Sequence, residues 1–342
     1  MNVGELPMIL FTVIAQMCVG TFIVLGAVRL VARVRHDKAS VNRLIEPVVY
    51  AIGPAMVLGL AVSMFHMNNI INTLNVFRHV GSSWLSREII FGTSFAALGF
   101  VFALLQWFRI GSSQLRHAVA GVTAVLGIGL VWSMSEIYRT LVTVPAWNTP
   151  VVPIHFFATT IMLGALATST TLLITDLVRR KREAADAVAV TTDAQKGPEK
   201  SGSGALATMV RRRVSEIHAP VTSQEAQLTV GTVQWLSVVT AAVGIVVLIS
   251  YPMHLGALAA EGSQAAAAST KVFSGGLFVL RLVLLGVATL VLSIFVFRSA
   301  EKTVLERSRL LTILLVSAFT LAVAGELIGR YLHYESMFAI GI

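Results

Sequence analysis

The stretch IEPVVYAIGPAMVLGLAVSMFHMNN, Ile45–Asn69, decides how this protein is read. From Ile45 to Met64 it is apolar apart from Glu46, and then come Phe65, His66, Met67 and two asparagines. A helix needs ~20 apolar residues to cross the hydrocarbon of a bilayer. The run has that length, so it reads as a membrane span with an imidazole at its end. Beyond it, GSSWLSREIIFG (Gly81–Gly92) opens a second apolar run with Arg87 and Glu88. An imidazole and a carboxylate therefore stand at neighbouring edges of two spans.

The rest of the sequence has the same character. It is 56% hydrophobic and 13% charged, with mean hydropathy +0.80, whereas a soluble domain carries about 25% charged residues. Eight runs are long enough to span: about 6–32, 45–67, 88–108, 117–144, 151–178, 230–255, 272–297 and 310–334. Each is read as a helix, because a spanning segment must satisfy its own backbone polar groups without water. Alternating barrel patterns are absent from the sequence. The fold class expected is an all-α integral membrane protein of eight transmembrane helices. The first run is not expected to be a cleaved signal peptide: only Glu5 precedes it among charged residues, and no small-residue cleavage site follows.

Lysine and arginine set the expected orientation. With the N-terminus outside, the inner segments hold 20 of the 26 Lys and Arg, among them Arg29, Arg33, Arg35, Lys38, Arg43, Arg109 and Arg116. Both termini then lie outside, and the formal charge of +9 is a topology signal rather than a nucleic-acid signal. The single cysteine, Cys18, forbids an internal disulfide. An iron–sulfur cluster normally takes four thiolates, so this protein cannot hold one alone.

One segment departs from the pattern. From about Lys181 to Gln227 the sequence is rich in Ala, Lys, Ser and Gly, as in DAQKGPEKSGSGA (Asp193–Ala205). Too few apolar residues are present to offset the entropy of ordering, so a flexible inner loop is expected. Within it, MVRRRVSEIHAP (Met209–Pro220) suggests a short basic surface helix near anionic lipid. The eight spans also show an internal echo. VWSMSEIYR ends the fourth and LAVAGELIGR ends the eighth, setting Glu136 and Arg139 against Glu326 and Arg330. SMFHM ends the second and SYPMHLG the sixth; WLSREIIFG opens the third and FVLRLVLLG lies in the seventh. Two four-helix halves in parallel repeat are expected, 1–145 and 146–342.

An ionisable residue within a span costs about 3 kcal/mol on insertion scales, so each is a functional hypothesis. His66, His79, His155, His254 and His333 all fall on the expected outer side, as do Glu88, Glu136 and Glu326. His66 and Glu88 form the sharpest pair, able to lie either side of one pocket. The bland reading of His66 is an interfacial imidazole bonded to loop backbone. That of Glu88 is a carboxylate favoured by a helix N-terminus capped by Ser82 or Ser83, an effect of only about 0.3–1 kcal/mol. Arg281 and Glu326 can match in depth, and their bland reading is an ion pair locking two helices. Trp84, Trp132 and Trp147 fit an interfacial aromatic belt. A haem between two outer histidines, His66 with His155 or His254, is neither demanded nor excluded by these residues. Two rival classes stay open on the residues alone: a haem-bearing cytochrome b-type quinol subunit, and a repeat-built secondary transporter with broken helices, for which Gly53-Pro54 is the one suggested break.

ELPMILFTVIAQMCVGTFIV (Glu5–Val24), SMFHMNNIINTLNVFRHVGSSWLSREIIFG (Ser63–Gly92), TVPAWNTP (Thr143–Pro150) and AGELIGR (Ala324–Arg330) closely resemble the membrane-anchor subunit of bacterial dimethyl sulfoxide reductase. The resemblance covers nearly all eight spans. It implies eight spans with both termini outside, in a bacterial cytoplasmic membrane. It implies a haem-free anchor that oxidises menaquinol without itself acting on the terminal acceptor. It implies partners on the outer face: an iron–sulfur subunit that takes the electrons and a molybdopterin catalytic subunit that uses them. It also implies that His66 and Glu88 belong to the quinol site. His66 is then the base and Glu88 the proton acceptor, with Ser86, Arg281 and Glu326 as supporting residues around the quinol.

Overall fold

The computed structural model describes residues 6–64, 77–192, 205–301 and 309–340. Among them all regular structure is helical, and eight helices are long and apolar enough to cross a membrane. The spanning helices are α1 (Leu6–Arg35), α2 (Lys38–Met64), α3 (Trp84–Trp107), α4 (Ser113–Arg139), α5 (Val151–Thr192) and α7 (Ser223–Glu261). The seventh span joins α9 (Gly276–Gly286), a π-helical turn (Val287–Leu292) and α10 (Ser293–Glu301); the eighth is α11 (Arg309–Glu335). Two short helices are added, α6 (Ala205–His218) and α8 (Gln264–Val272).

Local chemistry sets the boundaries. Asp37 accepts from the Ser40 amide and starts α2, and that bond holds its carboxyl below the usual carboxylate value. Ser83, Ser112 and Ser263 cap α3, α4 and α8 by accepting first-turn amides. Thr222 and Glu225 form a reciprocal capping box at the start of α7, and Gly262, at φ 76°, ends that helix. Arg109 and Gly111, both at positive φ, make the turn between α3 and α4. Pro47 and Pro54 are both accommodated inside α2, so Gly53-Pro54 does not break the helix.

The centre of the bundle is a contact of backbone on backbone. A Cβ at Gly20 would collide with the Thr160 carbonyl, and one at Gly164 with the backbone of Gly20. Glycine on both helices lets α1 lie directly on α5, the small-residue packing expected where lipid offers no hydrophobic drive. Around this seam the buried side chains form two main clusters, one chiefly from α1 to α4 and one chiefly from α5, α7 and α9 to α11.

The segment expected to be a loop, 181–227, differs from that expectation. Its described parts are helical: α5 runs on to Thr192, α6 occupies 205–218, and α7 begins at Ser223. The reason is electrostatic. Arg213 on α6 is buried; it pairs with Glu46 at 3.0 Å and with Glu216 at 2.8 Å. It also donates to the Trp107 and Gln106 carbonyls at the end of α3, at 2.8 and 3.2 Å. Arg43 on α2 pairs with Glu225 of α7 at 2.9 Å and donates to the Pro220 carbonyl at 2.8 Å. Glu46, the lone acid in the apolar run of the second span, thus holds α6 against the bundle.

Candidate functional site

The end of the bundle opposite α6 carries a polar pocket. On α11, Glu326, Gly329, Arg330 and His333 recur at a spacing of three, four and seven residues, which puts them on one face. His155, Phe156 and Thr159 of α5, Tyr251 and His254 of α7, and Arg281 of α9 complete the wall. Trp147 and the α4–α5 loop stand beside it. The cavity has a volume of about 30 Å³, room for about two waters.

Its charges are deeply buried: Glu326 is 2% exposed, and Arg281, Arg330 and His254 are each 4% exposed. Arg281 Nη2 lies 3.6 Å from Glu326 Oε1, and Thr159 Oγ1 donates to Glu326 Oε2 at 2.6 Å. A Cβ at position 329 would occupy the space of the Arg281 guanidinium, so Gly329 is what lets Arg281 lie on α11. Arg330 donates to Gln16 Oε1 at 2.9 Å and stacks over Phe156 at 3.6 Å. His155 Nε2 and Ser250 Oγ form a hydrogen bond, and Ser250 Oγ also lies 2.7 Å from the Val247 carbonyl. Among the described residues, five buried atoms of this lining have no hydrogen-bond partner: His254 Nδ1, His333 Nε2, Glu326 Oε1, Arg281 Nε and Arg330 Nε.

Behind His333 stands an aromatic wall. Its ring stacks on Trp147 with centroids 5.1 Å apart and meets the edge of Tyr138 at 4.7 Å. Trp147 Nε1 donates to the His333 carbonyl at 2.8 Å. Trp147 is therefore an internal strut rather than a residue of the lipid-facing belt; Trp132, 43% exposed, keeps the outward position. The Tyr138 and Tyr334 hydroxyls are 3.0 Å apart.

The residues expected to act together are distributed as follows. Arg281 and Glu326 are brought together as an ion pair. Glu88 and Ser86 sit in the first turns of α3; Ser86 is buried, its amide bonded to Ser83 Oγ, and Glu88 is half-buried. Neither lines the pocket. Arg87 turns back onto its loop, donating to the Val80 and Gly81 carbonyls at 2.8 and 2.7 Å, and lies over Trp84. His66 lies outside the described residues. The echo between Glu136–Arg139 and Glu326–Arg330 does not extend to pairing: Glu136 binds Arg139 at 2.6 Å, while Glu326 faces Arg281. The sequence suggests His155 and His254 as outer histidines able to pair with His66 on a haem, and His333 as an outer histidine, and it gives Thr159, Tyr251 and Arg330 no part in a site. The signal for Arg330 and His333 was their helical spacing from Glu326.

A family model described as DMSO reductase anchor subunit (DmsC) matches residues 1–335. The protein belongs to the DMSO reductase anchor subunit family. Among curated relatives, the third subunit of the anaerobic dimethyl sulfoxide reductase of Escherichia coli is 35% identical over 162 residues, 47% of this sequence and 55% of that one. The corresponding anaerobic dimethyl sulfoxide reductase subunit of Haemophilus influenzae is 32% identical over 177 residues, 51% of this sequence and 61% of that one. The match thus spans little more than half the length of these curated relatives. Family membership and eight apolar helices together make this a multi-pass membrane protein.

Proposed function

We propose that this protein is the membrane anchor through which a bacterial respiratory reductase takes electrons from menaquinol. The observation that carries the reading is the family match over residues 1–335. The geometry supports it: Glu88, near the start of α3, and the Arg281–Glu326 pair stand at the same end of the bundle, away from α6. The Lys/Arg bias assigns that end to the outside of the cytoplasmic membrane.

Quinol is apolar and lives in the bilayer, so its site opens to lipid at a span edge. Two protons must leave as two electrons depart. His66 takes one as base and Glu88 accepts the other; Ser86, Arg281 and Glu326 support the environment around them. With both groups at the outer edge, protons escape to the outer water. Electrons leave on the same side, to an iron–sulfur subunit docked there and then to a molybdopterin subunit that reduces dimethyl sulfoxide or a related acceptor. The one cysteine here, Cys18, is buried in α1, so the cluster is the partner's to hold.

The test compares Glu88→Gln and His66→Ala in membranes containing the assembled complex. Glu88→Gln keeps size and hydrogen bonding but removes the proton acceptor. Both substitutions are expected to leave assembly intact, to lower menaquinol oxidation at least tenfold, and to spare reduction of the terminal acceptor by an artificial donor acting on the soluble subunits. Normal turnover with a menaquinol analogue in Glu88→Gln would sink the role given to Glu88. A parallel fall in both activities on His66→Ala would make His66 an assembly residue.

A further inference from the structure

The pocket between α5, α7, α9 and α11 has a charge balance that the described residues do not close. Its ionisable lining consists of Arg281, Arg330, Glu326, His155, His254 and His333, with Tyr251 as a neutral phenol. Taking every imidazole as uncharged leaves two guanidiniums against one carboxylate, and any imidazole protonation adds positive charge. Glu326 faces Arg281. Among the described residues, Arg330 has no carboxylate within ion-pair distance; its polar contact is the neutral amide oxygen of Gln16, at 2.9 Å. A buried, unpaired guanidinium within a membrane span is costly, and buried charges are ordinarily paired.

The unpartnered atoms point the same way. Arg281 Nε and Arg330 Nε are obligate donors, and His254 Nδ1 and His333 Nε2 are free to act as donors. Four donor positions, net positive charge and a volume of about 30 Å³ describe a site for one small anion.

We propose that this pocket binds a single inorganic monoanion of halide size, which supplies the missing counter-charge to Arg330. The anion sits among α5, α7, α9 and α11 and ties them together. The pocket shares Arg281 and Glu326 with the residues proposed to support the quinol, but its test reads an unfolding midpoint and does not depend on quinol oxidation.

The experiment uses the full-length protein, purified in gluconate and reconstituted in neutral-lipid nanodiscs, with chloride or bromide titrated against gluconate at constant ionic strength. The unfolding midpoint is expected to rise saturably by a few degrees with either halide, as for any ligand that binds only the folded state. Two variants locate the effect. Arg330→Gln removes the unpaired charge and is expected to abolish the halide response. Gln16→Glu places a carboxylate where the amide oxygen now meets Arg330. It is expected to raise the midpoint in gluconate and to weaken halide affinity at least tenfold, which keeps the test decisive if Arg330→Gln does not fold. No halide-specific rise in the unsubstituted protein means that water alone fills the pocket, and overturns the proposal. An undiminished response in Gln16→Glu means that the halide binds elsewhere, and overturns it too.

Discussion

Replacing Arg213 by alanine tests whether α6 is part of the fold or a surface appendage. The guanidinium makes contacts at 2.8 to 3.3 Å with Glu46, Glu216, the Trp107 and Gln106 carbonyls and the Tyr50 hydroxyl. Glu46 is 6% exposed, so its charge is left buried with only Gln106 Nε2, at 3.5 Å, still facing it. Breaking a buried pair by removing one partner costs about 3–5 kcal/mol. Glu216 is 30% exposed on its side chain and opens the cluster to water, so the expected loss is at the low end, about 3 kcal/mol. Glu46→Gln removes the orphaned charge, and in the double variant much of the Arg213→Ala loss is expected to be recovered. The measurement is a double-mutant cycle on reversible unfolding in bicelles, with proteolysis of α6 as a local probe. A loss under about 0.5 kcal/mol for Arg213→Ala, the usual range of a neutral surface change, would refute the reasoning. So would a double variant whose loss equals the sum of the singles.

The same cluster makes deletion of 183–222 destabilising, where an unstructured loop would be dispensable; Glu46→Gln is expected to restore part of the loss, read as the unfolding midpoint. Gly20→Ala forces a Cβ into the Thr160 carbonyl and is expected to cost about 2 kcal/mol or more by overpacking, whereas Gly231→Ala, which meets nothing within 4 Å, stays within about 0.5 kcal/mol; equal midpoints would deny the α1–α5 contact. The hydrogen bond from Arg213 holds the Glu216 carboxyl below its usual 4.5. The stability it contributes is thus present above that value and lost as pH falls through the lowered one. Protease sensitivity of α6 should therefore rise as pH falls below the usual 4.5, and Glu216→Gln should remove the Glu216 share of that rise.

The spans were legible because the bilayer imposes a length and an apolar composition that the sequence must display. Their ends were less so. The second span was read from 45, yet α2 starts at Lys38, because a helix continues past its apolar run wherever a cap such as Asp37 supports it. The fifth was read to 178, yet α5 reaches Thr192; there Asp176 and Arg180 form an i,i+4 pair that supports helix beyond the lipid-facing run. The seventh was read from 272, but Val272 ends the separate helix α8 and the span starts at Gly276. The meeting of Arg281 with Glu326 was legible from depth alone. The docking of α6 was not: Glu46 stood out as an acid in an apolar run, but its partner lies 167 positions away and no local period connects them.

The α6 end and the pocket treat buried charge differently, and this separates structure from chemistry. At the α6 end Glu46 faces Arg213 at 3.0 Å and Glu225 faces Arg43 at 2.9 Å. Each of these carboxylates has a cation opposite it, which fixes the helices, although Arg43 Nε and Glu225 Oε1 do not complete a hydrogen bond. In the pocket Arg281 and Glu326 are 3.6 Å apart, beyond hydrogen-bond contact, and four neighbouring nitrogens and one carboxylate oxygen lack partners in the protein. Leaving that many groups unsatisfied costs about 1–3 kcal/mol each, a cost borne only where water, an anion or a substrate supplies the partners. Substitutions at the α6 end should therefore lower quinol oxidation only by lowering the amount of folded, assembled protein. Those around Glu88 and the pocket should lower it per assembled complex. An Arg213→Ala protein that was fully folded and assembled, yet slow with menaquinol analogue, would break this division and place part of the chemistry at the α6 end.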